Sequence, residues 1–470
     1  MRIAAVVLAS LTLAVGGQNA PTIPTTPAGQ QLSRWLDVFN RGQPQELQAF
    51  LEKNFPSRES RFRDELQFRE MTGGFDLKKI ETSEPERLTG ILKEREGTNY
   101  ARFLIEVDPA EPHAIRSLDL RVVPRPADIP GEPRLSQAAA LDALKAEVAR
   151  ENAAGRFAGA VLVAKDGNAL FEQACGLADR EHNLPNRLDT RFRIGSMNKM
   201  FTAVAILQLA QAGKLKLTDP VGKYLTDYPN RDVATKVTIH HLLTHTGGTG
   251  DFFGPEFDEH RLELRTLQDY VKLYGQRGPA FEPGSRFAYS NYGFLLLGLV
   301  VEKVGGQDYY EYVRERVYKP AGMTRTDSLP ESENVEGRAV GYTSIGGSPA
   351  PNMDTLPYRG TSAGGGYSTV GDMLAFANAV VTHRLLNEEY TNLLTTGKTD
   401  QGGGRRYAYG FVDTTEDGVR WIGHGGGAPG MNGDLRIAPE SGYVIVALSN
   451  LDPPAAQRIA DFIAARLPAK

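Results

Sequence analysis

Apolar residues recur at helical spacing in two stretches near the front of the chain, Leu32, Trp35, Leu36 and Phe39, then Leu47, Phe50 and Leu51. That rhythm predicts two short amphipathic helices. Between Phe75 and Val123 the pattern turns strand-like, with Arg102–Val107 and Ser117–Val123 alternating or continuously apolar. Pro124, Pro126, Pro130 and Pro133 then break every period and mark a boundary. Residues 30–123 are thus expected to form a small α+β domain, and 124–134 a Pro-rich linker. The remainder, 135–470, opens with a helix (Leu135–Asn152) and two strands, Gly159–Ala164 and Asn168–Ala174, hinged at Asp166-Gly167, a dipeptide that favours tight hairpins. It closes with strands near Arg420–Gly423, Gly433–Ala438 and Tyr443–Leu448 and an amphipathic helix from Ala455 to Leu467. One antiparallel sheet built from both chain ends, with the terminal helices on one face and a helical middle on the other, accommodates all of these. No tandem repeat interrupts the pattern.

The first residues add a location. Arg2, an apolar stretch from Ile3 to Val15, and then small and polar residues have the layout of a secretory signal peptide over 1–20, with a Pro/Thr-rich linker at 21–29. The stretch is shorter than the roughly 20 residues a bilayer span requires, so an exported protein, periplasmic or secreted and without a membrane span once processed, is expected. The sole cysteine, Cys175, lies in an apolar run and has no partner for an internal disulfide, so a buried, inert thiol is expected. With 41% hydrophobic and 23% charged residues the chain has the makings of a large core rather than a disordered polymer. A formal charge of -4 without a Lys/Arg stripe excludes nucleic acid as the natural partner.

Candidate chemistry sits in three places. After Arg191-Phe-Arg-Ile-Gly-Ser-Met-Asn-Lys199, apolar residues Phe201, Val204, Ala205 and Leu209 predict a buried helix starting near Ser196. A serine at a helix start sits among free N–H groups, and Lys199, three positions on, shares its face. A serine hydroxyl needs a base to become a nucleophile, and a lysine serves only if burial or a neighbouring cation lowers its proton affinity, as the helix's apolar surroundings would. The second place is Tyr289-Ser-Asn291 ahead of the apolar run Phe294–Val301, where a phenol relays a proton and an amide holds a substrate carbonyl or the lysine. The third is His424-Gly425-Gly426-Gly427, whose glycines let a substrate lie against the strand and leave N–H groups free for an oxyanion.

Together these elements resemble those of the serine β-lactamase-like and penicillin-binding-protein superfamily. Ser196-Met-Asn-Lys199 looks like its S-x-x-K, Tyr289-Ser-Asn291 like its Y-x-N, and His424-Gly-Gly426 like its K-T-G or H-x-G element. The stretches Lys214–Pro220, His240–Gly247, Pro283-Gly284 and Ala363–Asp372 are similar as well. The resemblance covers about 140–465 and implies a β-lactamase-like domain; residues 30–123 fall outside it and are only loosely similar to an NTF2-like fold. It further implies that Ser196 attacks a carbonyl, that Lys199 and Tyr289 exchange its proton, and that the N–H groups of Ser196 and Gly427 hold the oxyanion. Asn291 would orient the acyl group or Lys199, and Tyr289 would activate the water that releases the acyl group. Class C β-lactamases, family VIII esterases, D-aminopeptidases and D-Ala-D-Ala carboxypeptidases are the subgroup it points to.

The third element departs from a lysine. His424 is charged only in part near neutrality, which shifts the expected substrate from penicillins toward neutral small-molecule esters, amides or peptides. No cofactor and no metal are expected: His241 and His245 lack the acidic partner of H-E-x-x-H, and Gly425–Gly430 matches G-x-G-x-x-G without the helix that a dinucleotide requires. A β-lactamase, a non-catalytic peptide- or peptidoglycan-binding relative and a filament-forming one are the alternatives; intact Ser196, Lys199 and Tyr289 weigh against the non-catalytic binder.

Overall fold

The computed structural model describes residues 21–344 and 349–469. The expected signal peptide lies outside the described residues; among them no helix is long and apolar enough to cross a membrane. The chain divides between Val122 and Val123 into two compact units.

In the first unit, helices Pro27–Arg41, Pro44–Asn54 and Phe62–Thr72 accompany a four-stranded sheet whose strands follow chain order, from Phe75–Ser83 to Ile115–Val123. The opening helix begins inside the stretch read as a linker. Thr26 caps it, accepting from the Gly29 N–H at 3.2 Å, and Pro27 occupies its first turn, where a missing N–H costs nothing. Trp35, Phe39 and Phe75 stack in its core, the first two with ring centroids 4.8 Å apart. The third helix escaped the sequence pattern because it buries only Glu65 and Thr72 and so carries no apolar stripe.

The second unit is built on an eight-stranded antiparallel sheet. Its order runs Thr399–Gly402, Arg405–Tyr407, Val412–Glu416, Val419–Ala428, Met431–Ile437, Tyr443–Ser449, Gly159–Lys165, Asn168–Cys175. The strands from the two ends of this unit therefore pair side by side, sixth and seventh in that order, with Val446 opposite Leu162. Strand alternation divides the core: Ala160, Leu162 and Ala164 face a large helical lobe, while Val161 and Val163 face the helices Gln137–Ala153 and Ala455–Ala464. The Pro-rich segment 124–134 has no helix or strand, yet it is tied to this unit. Arg125 pairs with Asp417, and Arg134 donates to the carbonyls of Glu416, Ala464 and Leu467, the second of them belonging to the last residue of the closing helix. Gly402–Gly404 forms the turn of the hairpin at the sheet's edge.

Candidate active site

Ser196 sits in a single 3-10 turn, Gly195–Met197, that runs directly into the helix Asn198–Gln211. Twelve of that helix's residues are buried, Lys199 fully so, which anchors the turn at the centre of the unit. Lys199 Nζ donates to Ser196 Oγ at 3.1 Å, to Asn291 Oδ1 at 2.7 Å and to the carbonyl of Ala363. It also lies 4.7 Å from the centroid of the Tyr289 ring. Burial lowers the proton affinity of this amine to about 7, with the charge of Asp251 acting in the opposite direction.

Tyr289 precedes the helix Asn291–Gly305, whose N-cap is Ser290. Although 37% of Tyr289 is exposed, the protein around it pushes the phenol above its ordinary range, opposed by its contact with the Ser196 hydroxyl. The phenol is therefore protonated at neutral pH, and Lys199 is the group free to accept a proton there. Asn291 turns its oxygen to Lys199 and its Nδ2 to Asp251 Oδ2, 2.8 Å away. Of the two roles expected for this amide, holding the lysine is the one its geometry displays.

The strand Val419–Ala428 passes close to the serine turn. A Cβ on Gly426 would stand 1.9 Å from the Ile194 carbonyl oxygen and 3.0 Å from Ser196 N; one on Gly195 would stand 2.9 Å from Gly427 N. Only glycine allows that approach. Strand alternation points His424 and Gly426 toward the serine side. Gly425 and Gly427 turn to the opposite face, toward Gln457 and Pro453, so of these two only backbone groups reach the site.

His424 is buried and both ring nitrogens are engaged within the protein. Its Nδ1 contacts the Gly425 carbonyl, which can only accept, so Nδ1 carries the hydrogen. Nε2 then accepts from the Tyr407 hydroxyl at 3.0 Å. Burial, reinforced by the charge of Lys199, lowers this imidazole to about 4. The partial charge expected of His424 near neutrality is absent for that reason, and the ring offers no free donor.

Four participants escaped sequence reading: Asp251, the Ala363 carbonyl, Tyr407 and His245. His241 caps its own short helix, whereas His245 leaves that helix with φ 57 and packs against Tyr289. The Ala363 carbonyl is delivered by a three-point grip. Asn198 Nδ2 donates to the Thr361 carbonyl at 3.1 Å, Thr202 Oγ1 to that of Ser362 at 2.7 Å, and Lys199 to that of Ala363. Gly364, on the same segment, lies against Gly195, so this glycine run borders the site. Its composition was the one available signal; nothing local marked Asp251.

A family model described as Beta-lactamase matches residues 144–470. The crystal structure of a penicillin binding protein from Bacillus halodurans is similar with a TM-score of 0.62 at 35% identity, over 69% of this chain and 98% of that one. A D-stereospecific amidohydrolase from Streptomyces sp. is similar with a TM-score of 0.58 at 29% identity, over 69% and 97% of the two chains. Esterase EstB of Burkholderia gladioli is 38% identical over 202 residues, 40% of this chain and 50% of the esterase.

Proposed function

The chain belongs to the Beta-lactamase family, and on that premise we propose a serine hydrolase that cleaves neutral esters and amides through an acyl-enzyme on Ser196. The observation that carries the reading is the amine of Lys199, 3.1 Å from Ser196 Oγ and lowered to about 7. Neutral Lys199 takes the hydroxyl proton as Oγ bonds to the substrate carbonyl carbon. The N–H groups of Ser196 and Gly427 stabilise the oxyanion. Tyr289, protonated, passes a proton to the departing alcohol or amine, and water attack along the same route regenerates the hydroxyl.

His424 directs the substrate preference. Neutral, and with both nitrogens engaged, it supplies no cation for a substrate carboxylate, which places β-lactams and peptides ending in a free carboxylate behind uncharged acyl substrates. The similarity to a D-stereospecific amidohydrolase supports D-amino acid amides among the amide substrates. The apolar stretch Ile3–Val15 supports an exported enzyme acting in the periplasm or outside the cell.

Intact-mass spectrometry after incubation with a fluorophosphonate and with a penicillin, on wild type and Ser196→Ala, tests the reading. Adduct formation on wild type alone, fast with the fluorophosphonate and slow with the penicillin, is expected. Folded wild type that takes neither reagent refutes it and favours a binding protein.

A further inference from the structure

We propose that Asp251 is a positioning residue: it fixes which end of the Asn291 amide faces Lys199 and so holds the amine against Ser196. The inference rests on the reading of Lys199 as the base.

A primary amide has an accepting end and a donating end of nearly equal size, and its partners alone decide which way it points. An ionised carboxylate carries no hydrogen. Asp251 Oδ2, 2.8 Å from Asn291 Nδ2, can be faced only by the NH₂ group, and that choice turns Oδ1 toward Lys199 Nζ, 2.7 Å away. Asp251 is itself held at three points. Its Oδ1 accepts from the N–H of Phe252 at 2.7 Å and of Phe253 at 3.4 Å, and its carbonyl accepts from Arg277 at 3.0 Å. Without the carboxylate the amide is free to flip. Lys199 then meets N–H groups instead of an acceptor and keeps only Ser196 Oγ and the Ala363 carbonyl.

The charge matters separately from the hydrogen bond. His245 and His424 also face Lys199, both kept neutral by burial, and Tyr289 faces it as a neutral phenol. Asp251 is the acid whose field opposes the burial of the amine. Removing the carboxylate therefore does two things of opposite sign. Disorder of the amide slows acylation, while the lost negative charge makes Lys199 deprotonate at lower pH.

The test follows full-length wild type, Asp251→Ala and Asp251→Asn between about pH 5 and 9, with melting temperatures as a check of folding. The readouts are the rate of Ser196 labelling by a fluorophosphonate and the hydrolysis of p-nitrophenyl butyrate. Asp251→Ala is expected to lower the plateau of acylation roughly 10- to 100-fold with little change in KM, as a slightly misplaced catalytic group does. Its acid limb is expected at lower pH than in wild type. Asp251→Asn, whose amide oxygen still accepts from Asn291, is expected to recover much of the plateau while keeping the displaced limb. An Asp251→Ala variant with wild-type plateau and limb overturns the proposal, as does equal loss in both variants with an unmoved limb. Wild type that is not labelled at Ser196 overturns the base reading and this inference together, whereas labelled wild type with an indifferent variant overturns this inference alone.

Discussion

His245 brackets Tyr289 from behind. Its carbonyl accepts from Ala288 N at 2.9 Å, its Nδ1 accepts from Ser290 N at 3.1 Å, and its ring lies 4.2 Å, centroid to centroid, from the ring of Tyr289 itself. The two N–H groups flanking the tyrosine thus end on one residue, whose backbone is left-handed at φ 57. Asn tolerates that conformation and carries an oxygen near the place of Nδ1. His245→Asn is therefore expected to retain more of kcat than His245→Phe, which fills the space but leaves the Ser290 N–H buried and unpaired at a cost of about 1–3 kcal/mol. Steady-state hydrolysis of p-nitrophenyl esters and urea unfolding of both variants check this; equal activity in the two would remove Nδ1 from the account.

Lys199 sets the pH dependence. Its neutral form is the reactive one, so acylation should rise with pH through a midpoint near 7, the value burial gives the amine. Lys199→Met should abolish labelling of Ser196 yet raise stability by about 1–2 kcal/mol, because at neutral pH a buried amine costs the native state more than a thioether of similar length. Fluorophosphonate labelling and urea unfolding separate the two effects; a destabilised Lys199→Met protein contradicts the second.

Gly426 is a steric requirement. A methyl group there would fall 1.9 Å from the Ile194 carbonyl oxygen, a backbone atom that cannot swing aside. Gly426→Ala is expected to push the strand from the serine turn, cost roughly 1–3 kcal/mol and lower kcat by more than KM rises, because the oxyanion donors move apart. Gly425→Ala faces a flexible glutamine side chain 3.0 Å away and is expected to be far milder. Comparing the two in thermal melts and ester hydrolysis tests the alternation of the strand.

His424 contributes an acid-side loss of stability. In the unfolded chain it titrates near 6.5, in the folded protein near 4. Above pH 6.5 it is neutral in both states and costs nothing. As pH falls from 6.5 toward 4 the unfolded state binds a proton that the native state refuses, and the native state loses up to about 3 kcal/mol. His424→Gln should flatten unfolding free energy over that window; a wild-type slope in the variant would place the loss elsewhere.

Much of this site was legible in the linear sequence because its first pair is local. Ser196 and Lys199 lie one helical turn apart, and a buried apolar helix behind them announces both the turn and the dry surroundings of the amine. Two inner strands were legible for a similar reason, since Gly159–Lys165 and Tyr443–Ser449 are buried on both faces. What escaped were partnerships across distance. Asp251 reaches Asn291 over 40 positions, and the Ala363 carbonyl reaches Lys199 over 164, with no side chain of its own to signal the contact. His241 and His245, four apart, read as sharing one helix face, whereas the helix ends at Leu243 and the His245 backbone has already left it. His424 looked ionisable because a sequence does not display burial.

The grip of Asn198, Lys199 and Thr202 on three successive carbonyls has a dynamic consequence. The segment 361–363 and the first turns of the nucleophile helix cannot separate one contact at a time, since each carbonyl is held by a different rung of the same helix. Hydrogen exchange of the amides around them should then follow a single, high opening energy shared by both segments, well above that of the edge hairpin at Gly402–Gly404. Reagents that need local fraying would find the edge of the sheet long before they found the serine.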